Sequence, residues 1–596
     1  MTRRPDRISF RFSARARHAA CLVSTAEGGF VPARWDLGGA SPRYREGTST
    51  ESTATQVLPT DDGELLLLRS AVGSGRHRLA LTGPDGGPGP ATTIAARGLR
   101  LVPGGPPGTL ALAVETDAGG RTRVWQVRNG PLRLAHPVML PGRITGLLPL
   151  DEEGIRYATD LGRPDGCRPV VLNLREGIGR GLLLPEGGHI HRVLLSAPRS
   201  GLLLTASDPG DGRLRIGRTT VDGRTALSFP ERLNSLDGSV FPLAADPAGG
   251  RVALRVTKGA AARLFLYDVA EDRPYPTELP AGALHPAAGW NEHGLHVVYA
   301  NPARPADLVT LPDDPARQGT PPPPAPDART EWFDTPDGGF EAVCLGDWRT
   351  ADTVTVALHG GPEDAWTLGF HPLLHRLTEA GTAVVAPNQR GSTGYGRAHT
   401  SAVHGAWGVP DLADVRTLVR TLTEHRPPGA KPPALLGVSY GGFLALLAVC
   451  ADPHAWSRCA AAAPFLSARG LYERATPAVR ALIERHGLGT PPDDELGPRN
   501  VEVLAHRIRV PLLVVHGTDD PLVPVEETRR LRKRLIEAGR VEHTHFACLE
   551  GAGAGHDLLQ ERGGAGLTDR LMTFLTPGPA ATAPPAPDLT DAHATV

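Results

Sequence analysis

The stretch GVSYGG at residues 437–442 lies between two apolar runs, 433–436 and 443–447. A strand, a sharp turn and a helix in that order would present Ser439 at the tip of the turn. Glycines two residues before and after the serine allow the tight backbone path that brings strand and helix together. Ser439 can then act as a nucleophile beside backbone N–H groups that stabilise an oxyanion. Because short glycine-serine turns are also structural, the context has to decide.

The context supplies an acid and then a base later in the chain, in the order that this type of nucleophile requires. An apolar run at 512–515 predicts a strand, and Asp519 and Asp520 follow it closely. A carboxylate just past a strand end is well placed to orient an imidazole. A glycine-rich loop after the next predicted strand delivers His556. We therefore predict a triad of Ser439, one of the two aspartates, and His556.

Three other histidines lie near the acid and the base. His543 and His545 belong to an alternating run that is typical of a strand, and His516 closes the strand before the acid. We interpret all three as structural, because only His556 stands on a glycine-rich loop.

Several segments together resemble the prolyl oligopeptidase family of serine peptidases. They are the serine elbow GVSYGG, HGTDDPLVP at 516–524, Gly555-His556, HGGP at 359–362, NQRGSTGYG at 388–396, and Trp407-Gly408 with Asp411 and Asp414. The resemblance covers the chain from about residue 331 onward. Its HGGP form is most similar to the acylaminoacyl-peptidase and dipeptidyl-peptidase-like branches of the family.

The resemblance implies roles for individual residues. In the family the catalytic acid stands four residues after the histidine of the HGxxD motif, which selects Asp520 over Asp519. The backbone N–H of Tyr440, directly after the nucleophile, is expected to be one donor of the oxyanion hole. The resemblance points to the N–H of Gly361 as the second donor.

Substrate specificity is less well determined by the sequence. Family members often carry an arginine or asparagine two residues after the acid, where it holds a substrate carbonyl, and this chain has Leu522 there. The contact is then absent or comes from elsewhere, with Arg390 or an arginine of the first half as candidates. The acidic run 151–153 is more typical of a surface turn than of a site for a free substrate N-terminus. Strict dipeptidyl cleavage is therefore less expected than acylaminoacyl-type or general oligopeptidase activity.

Four apolar or aromatic residues are candidates for the wall of the S1 pocket, and they could equally belong to the core. They are Phe465, Leu471, Tyr472 and Val523.

Composition limits the class of protein. The 596 residues exceed what one hydrophobic core usually holds, so at least two domains are expected. A net charge of −1 gives no reason to expect nucleic acid or an anionic membrane as a partner. No apolar run is long enough for a transmembrane helix, and the N-terminal residues lack the apolar stretch of a signal peptide.

The six cysteines form no C-x-x-C pair, which is typical of reduced thiols in a cytoplasmic protein. We find no cluster with metal-ligand spacing and expect neither a metal nor a cofactor.

The first half of the chain repeats with a period of about 45 residues, the length of a four-stranded propeller blade. Seven strand pairs begin near Ala19, Gly63, Gly108, Gly154, Gly201, Gly250 and Gly294. We predict a seven-bladed β-propeller over residues 1–311, in which 8–13 supply the missing strand of the last blade. The family resemblance implies the same fold, and an array of β-sandwiches is the alternative.

The remaining boundaries follow from composition and from alternating strand and helix patterns. Residues 312–330 contain four consecutive prolines and are predicted to be a stiff linker. Residues 331–576 alternate strands and helices, which predicts an α/β-hydrolase domain. The proline-rich tail 577–596 is expected to be disordered.

These patterns predict a serine peptidase that hydrolyses short peptides through an acyl-enzyme intermediate. An esterase or amidase that uses the same triad on a small metabolite is the first alternative. A propeller-based binding protein with a vestigial triad is the second. The sequence leaves open whether the protein is a homo-oligomer.

Overall fold

The structure is a computed structural model. It describes residues 5–25, 29–39, 41–70, 75–117, 119–163, 166–181, 189–222, 224–312, 327–490, 492–559 and 564–576. The chain forms two compact units. The first comprises most residues up to 312, and the second comprises those from 327 onward with the short segments Lys258–Ala261 and Asn301–Arg304.

The first unit consists of seven antiparallel sheets that follow one another along the chain. The first four sheets contain β1 (Arg7–Phe12), β2 (His18–Ser24), β3 (Phe30–Asp36), β4 (Arg43–Glu46); β5 (Gln56–Pro59), β6 (Leu65–Ser70), β7 (Arg76–Thr82), β8 (Pro88–Ala95); β9 (Leu99–Val102), β10 (Thr109–Thr116), β11 (Thr122–Arg128), β12 (Arg133–Leu140); and β13 (Leu148–Pro149), β14 (Arg156–Arg163), β15 (Gly166–Asn173), β16 (Gly177–Gly181). The other three contain β17 (His189–Ala197), β18 (Leu202–Asp208), β19 (Arg215–Thr220); β20 (Ser239–Ala245), β21 (Arg251–Lys258), β22 (Ala261–Asp268), β23 (Arg273–Pro276); and β24 (Ala283–Asn291), β25 (Gly294–Asn301), β26 (Arg304–Leu311). A short helix, α1 (Glu231–Asn234), precedes β20.

Each sheet contacts the next one along the chain. The last sheet also contacts the first, through β24 and β1, so the seven sheets form a closed ring. The inner strands are buried on both faces between neighbouring sheets, which explains continuous apolar runs such as Leu65–Leu68 in β6. The seven-bladed propeller that the sequence predicts is therefore confirmed.

One detail of the predicted propeller is wrong. Strand β1 pairs antiparallel with β2, with Phe12 opposite Ala19, and it does not join the last sheet. A tight turn favours this local hairpin, because the Ser13 hydroxyl oxygen accepts hydrogen bonds from the N–H groups of Arg17 and His18. The last sheet has three strands within the described residues.

The second unit is built on one eight-stranded sheet with the order β27-β28-β30-β29-β31-β32-β33-β34. Its strands are β27 (Ala328–Phe333), β28 (Phe340–Leu345), β29 (Val354–Leu358), β30 (Ala383–Pro387), β31 (Ala434–Val438), β32 (Arg458–Ala462), β33 (Leu512–Gly517) and β34 (Phe546–Gly551). Its helices are α2 (Pro372–Glu379), α3 (Arg397–Ser401), α4 (Pro410–Glu424), α5 (Tyr440–Ala451), α6 (Ala468–Arg474), α7 (Pro477–His486), α8 (Val501–Leu504), α9 (Glu526–Glu537) and α10 (Ala565–Leu575).

Strands β29 to β34 are parallel, and the hairpin β27–β28 joins them antiparallel to β30. Parallel strands with crossover helices bury both faces of a sheet, so β29, β30 and β33 are apolar throughout most of their length. This arrangement confirms the predicted α/β-hydrolase class. The carboxyl ends of the parallel strands share one edge, where such sheets place their sites.

Most of the predicted linker and the whole predicted tail 577–596 lie outside the described residues, so the domain boundaries stay predictions. Within the part of the chain that the structure describes, no helix is long and apolar enough to cross a membrane.

Candidate active site

Ser439 stands between β31 and α5 with φ +54° and ψ −116°. Few residues other than glycine adopt this conformation, and it marks a strained elbow. A Cβ atom at Gly437 would lie 2.1 Å from the Gly441 carbonyl oxygen, and one at Gly441 would lie 2.3 Å from the Leu358 carbonyl oxygen. Both glycines are therefore required by close backbone contacts rather than by turn propensity alone.

The structure brings Ser439, His556 and Asp520 together in one hydrogen-bonded chain. The Nε2 atom of His556 lies 3.1 Å from Ser439 Oγ, and its Nδ1 lies 2.7 Å from Asp520 Oδ2. The three residues follow β31, β34 and β33, so the carboxyl edge of the parallel sheet positions all of them. The serine can donate its proton to Nε2 while Nδ1–H donates to the carboxylate.

The Asp520 carboxylate is buried and held from several sides. Its Oδ1 accepts hydrogen bonds from the N–H groups of Leu522 at 2.8 Å and Val523 at 2.9 Å. Burial by itself raises the pKa of Asp520, but the adjacent imidazoles of His516 and His556 outweigh it and hold the pKa well below its usual range. Asp520 is therefore ionised at neutral pH and can stabilise a positive imidazole.

Asp519 takes no part in this chain. Its Oδ1 accepts a hydrogen bond from the Thr518 hydroxyl at 3.1 Å, and its backbone N–H donates to the Ala554 carbonyl. The geometry thus brings to His556 the aspartate that the family spacing selects.

The other nearby histidines have structural partners. His516 is buried, with Nδ1 2.7 Å from the Thr528 hydroxyl and Nε2 2.9 Å from the Val523 carbonyl. His543 and His545 lie in a turn before β34 rather than in a strand, and His543 has φ +61°. His545 Nδ1 accepts from the Val541 N–H at 2.9 Å.

Both segments that are predicted to form the oxyanion hole lie beside the nucleophile. Tyr440 is the first residue of α5, and the first N–H groups of a helix have no acceptor within it. A Cβ atom at Gly360 would lie 3.6 Å from Ser439 Cβ, so the loop after β29 contacts the elbow. Gly361 follows with φ +113°. The role of the Tyr440 and Gly361 N–H groups in binding the oxyanion stays a prediction.

The buried side chain of Tyr440 fixes the residue that follows the nucleophile. Its hydroxyl donates to Asp411 Oδ2 at 2.6 Å, and its ring packs against Trp407 and Phe465. Burial raises the pKa of Asp411 to about 6 and that of Tyr440 well above its usual value. The sequence indicates Asp411 only as part of a helix start. Its hydrogen bond to Tyr440 joins residues 29 positions apart, and no pattern in the sequence near either residue predicts it.

The four candidates for the S1 wall are mostly core residues. Phe465 is 3% exposed and stacks on Phe443 at 4.6 Å, while Leu471 and Val523 are 4% and 3% exposed. Tyr472 packs against the same core and donates its hydroxyl to Glu484 Oε1 at 2.7 Å.

The guanidinium group of Arg390 is occupied by other partners. It donates to Asp414 through Nε and Nη2, to Asp337 Oδ2 at 2.8 Å and to the Pro410 carbonyl at 3.0 Å. The structure therefore places Arg390 in a network that joins the loop after β30 to α4 and to the β27–β28 turn. A substrate carbonyl would have to compete with these partners.

Sequence reasoning missed two features of the loop after β29. His359 is buried, with Nε2 2.7 Å from the Ser392 hydroxyl and Nδ1 2.7 Å from the Gly360 carbonyl, so it fixes the loop to the segment after β30. Glu363 lies in a group with His404 and His486 whose ligand atoms could hold a metal ion. Only the fold brings these distant residues together.

A strained serine elbow, a histidine and a buried aspartate at the carboxyl edge of this sheet define a serine hydrolase of the α/β-hydrolase fold. Residues 369–577 match the family model described as "Prolyl oligopeptidase family". The match confirms the resemblance seen in the sequence and identifies this part of the chain as a domain of that family.

Curated relatives match about a third of the chain. The acylamino-acid-releasing enzyme of Rattus norvegicus is 26% identical over 215 residues, which are 34% of this chain and 29% of the relative. The dipeptidyl aminopeptidase BIII of Pseudoxanthomonas mexicana is 27% identical over 188 residues, 30% of this chain and 27% of the relative. The matches thus span less than a third of either relative.

Solved structures are similar over nearly the whole chain. The acylaminoacyl peptidase of Pyrococcus horikoshii has a TM-score of 0.68 and 14% identity, and covers 96% of both chains. A puromycin-hydrolyzing peptidase of Mycobacterium tuberculosis has a TM-score of 0.68 and 17% identity over 96% of this chain and 94% of its own. At this identity the similarity concerns the fold.

Proposed function

We propose that this protein is a serine peptidase that hydrolyses short peptides through an acyl-enzyme intermediate, as an acylaminoacyl peptidase or an oligopeptidase. The observation that carries the proposal is the continuous hydrogen-bonded chain from Ser439 through His556 to Asp520. The family match supports it, because residues 369–577 include all three side chains.

The proposed reaction follows from the geometry of these groups. Ser439 Oγ attacks the scissile carbonyl carbon while His556 Nε2 takes its proton and then gives it to the leaving amine. Asp520 keeps Nδ1 of His556 protonated and stabilises the imidazolium ion. Water, deprotonated by His556, then attacks the acyl-enzyme and releases Ser439. The N–H groups of Tyr440 and Gly361 are proposed to stabilise the oxyanion in both steps.

The residue two positions after the catalytic acid, Leu522, supports acylaminoacyl-type or general oligopeptidase specificity. Leu522 is 41% exposed and offers no side-chain donor to a substrate carbonyl. The guanidinium group of Arg390, the candidate replacement, already donates five hydrogen bonds to Asp414, Asp337 and the Pro410 carbonyl. The carbonyl contact is therefore proposed to be absent or to come from another group.

The proposed S1 wall remains Phe465, Leu471, Tyr472 and Val523. Val523 supports this assignment best, because its N–H donates to Asp520 Oδ1 at 2.9 Å and so fixes it next to the triad. Phe465 supports it through its ring contact with Tyr440, the residue after the nucleophile.

We propose a cytoplasmic location and no partner beyond short peptides. The six cysteines are free, which is typical of a reducing compartment. A homo-oligomer stays open, and light scattering on the purified chain decides it.

Covalent labelling tests the proposed nucleophile. A fluorophosphonate probe is expected to modify Ser439 because the elbow, the base and the acid are all in place. The Ser439→Ala variant is expected to lose both labelling and turnover. Labelling of another serine in the unsubstituted chain, with Ser439 unmodified, would overturn the assignment.

A substrate panel separates the peptidase from the esterase or amidase alternative. It compares kcat/KM for acyl-peptide and aminoacyl-peptide anilides with kcat/KM for p-nitrophenyl esters. The proposal expects the peptide anilides to be cleaved, with rates that depend on the residue at P1. Efficient ester cleavage together with no peptide cleavage would favour a small-molecule hydrolase. No turnover of any substrate would favour the binding protein.

A further inference from the structure

Three potential ligand side chains converge beside the loop after β29. Glu363 follows Pro362 of the HGGP segment, His404 stands in the turn after α3, and His486 is the last residue of α7. One ligand atom from each lies within 4.8 Å of the other two. His404 Nε2 is 2.8 Å from Glu363 Oε1, and His486 Nε2 is 3.2 Å from the same oxygen.

His486 is the unusual member of this group. Its side chain is 0% exposed, and neither ring nitrogen makes a hydrogen bond to any described residue. Its Nε2 lies within ion-pair distance of Glu363 Oε1, but the two atoms form no hydrogen bond. A buried polar atom without a hydrogen-bond partner destabilises the folded state. An ion bound at Nε2 would give that atom a partner, so the unpartnered nitrogen indicates a ligand.

The two histidines are held in place by their backbones. Their rings stack with centroids 4.5 Å apart and an angle of 18° between planes. The turns that carry them touch, because a Cβ atom at Gly489 would lie 1.6 Å from the Gly405 carbonyl oxygen. Gly405 and Gly489 also have φ values of +68° and +65°. Only glycine permits this approach, so the pairing of the two imidazoles is built into the fold.

We propose that Glu363, His404 and His486 form a binding site for a divalent transition-metal ion of the Zn²⁺ class. Two imidazole nitrogens and one carboxylate oxygen suit Zn²⁺ rather than Mg²⁺ or Ca²⁺, which prefer oxygen ligands. Three protein ligands leave a fourth tetrahedral position for water.

Binding requires the His404 ring to turn out of its stack on His486, because two nearly parallel rings cannot direct both Nε2 atoms at one ion. Zn²⁺ lies about 2.0–2.2 Å from nitrogen and oxygen ligands, so the ligand atoms that are now up to 4.8 Å apart have to approach, and the Nε2–Oε1 pairs at 2.8 and 3.2 Å have to separate slightly. His404 has 35% of its side chain exposed and can rotate, whereas His486 is fixed in the core. The ion would replace the present hydrogen bond between His404 and Glu363.

The site lies two residues from the proposed oxyanion donor. Because Glu363 belongs to the same turn as Gly361, an ion bound to its carboxylate would restrain the turn that holds the Gly361 N–H. This consequence rests on the proposed function, but metal binding does not. The experiment therefore measures binding directly.

The test uses the full chain without an affinity tag, treated with a chelator and dialysed. Zn²⁺ is titrated calorimetrically and counted by elemental analysis, and Co²⁺ is added separately for its visible absorption spectrum. We expect one Zn²⁺ per chain and an intense tetrahedral Co²⁺ spectrum. Glu363→Gln and His486→Gln are each expected to weaken binding at least tenfold.

Matched variants locate the ion. His425→Gln alters an exposed histidine at the end of α4 and is expected to leave the affinity unchanged. His404→Gln alters an exposed ligand, so it keeps the test decisive if His486→Gln fails to fold. Unchanged binding in Glu363→Gln and His404→Gln would overturn the proposal. So would the absence of binding in the unsubstituted chain, or its loss in His556→Gln, which would place the ion at the triad.

Discussion

Carboxylates serve different purposes in the propeller and in the hydrolase unit. In the propeller, aspartates at the ends of hairpins accept the N–H of the residue four positions later. The pairs are Asp117 with Arg121, Asp151 with Ile155, Asp208 with Gly212 and Asp246 with Gly250. Each of these bonds closes a turn and joins residues that are already neighbours in sequence.

In the hydrolase unit, buried carboxylates join segments that are far apart in sequence. Asp414 binds Arg390, Asp411 binds Tyr440, Asp520 binds His556 and Glu527 binds the Leu466 N–H, across separations of 24, 29, 36 and 61 residues. The four turn aspartates each stabilise the propeller through a local bond, whereas the four hydrolase carboxylates each make a single long-range contact, although Asp160 of the propeller also accepts the Val193 N–H across 33 residues. Substitutions are therefore expected to have large effects in the second unit and small ones in the first.

The largest expected effect is at Asp520. Asp520→Asn favours the wrong tautomer of His556 and is expected to lower kcat by about 10⁴-fold, as in other triads. Steady-state kinetics on the best peptide anilide measure it. Asp519→Asn is the matched control, because Asp519 does not contact His556, and it is expected to change kcat less than twofold. A larger loss in Asp519→Asn than in Asp520→Asn would show that the acid is misassigned.

A close backbone contact gives the next largest effect. Gly441→Ala places a Cβ atom 2.3 Å from the Leu358 carbonyl and 2.4 Å from that of His359, so the elbow has to move. Overpacking of this kind costs about 3 kcal/mol, and fluorophosphonate labelling of Ser439 is expected to slow with it. Thermal unfolding measures the loss of stability.

Gly250→Ala in the propeller is the control for this substitution. A Cβ atom there would have no neighbour within 4 Å. Its melting temperature and its labelling rate are expected to stay close to those of the unsubstituted chain. Equal destabilisation by the two alanines would contradict the contrast between the units.

The same contrast explains how much could be predicted from the sequence. The blades repeat, and each is closed by local turns, so the strand period alone predicted seven of them. The serine elbow, the acid and the base also carry local signals, because each follows a recognisable strand. The pairing of β1 was predicted wrongly, since the choice between its two neighbouring sheets depends on a short turn at Ser13 that the period does not reveal.

The contacts of the hydrolase unit could not be predicted in this way. Nothing near Arg390 in sequence shows that Asp414 and Asp337 occupy its guanidinium group. Likewise, the stacking of His404 on His486 depends on glycine contacts between two distant turns. The sequence shows the chemical type of such a side chain. Its partners depend on how distant helices, strands and turns pack, and could not be predicted.

The buried Asp411 predicts a pH dependence in the hydrolase unit. Its pKa is raised from 3.8 to about 6 by burial, with a further contribution from Asp414, so the folded state keeps a proton that the unfolded state loses. Stability from this group is complete below about pH 4 and is lost as the pH rises through about 6. The loss is on the order of 3 kcal/mol.

Asp411→Asn removes this charge and isolates its contribution. The melting temperature of the variant minus that of the unsubstituted chain is expected to increase between pH 4.5 and pH 7, even if the lost hydrogen bond lowers both values. A series of thermal scans in buffers of equal ionic strength measures this difference. A difference that stays constant or decreases with pH would contradict the raised pKa.

The smallest effect is expected where the propeller uses the same side chain locally. Asp246→Ala removes the acceptor of the Gly250 N–H at 2.8 Å and of Arg251 Nε at 3.2 Å. The turn keeps its backbone bond from the Gly249 N–H to the Asp246 carbonyl, so the cost is about 1 kcal/mol. That loss corresponds to a decrease of about 2 °C in melting temperature, and kcat is expected to stay the same because the triad belongs to the other unit. If Asp246→Ala destabilised the protein as much as Gly441→Ala does, the propeller would have to depend on individual turns. That result would show that a single turn contributes as much to the stability of the propeller as a close backbone contact does in the hydrolase unit, and it would contradict the comparison of the two units.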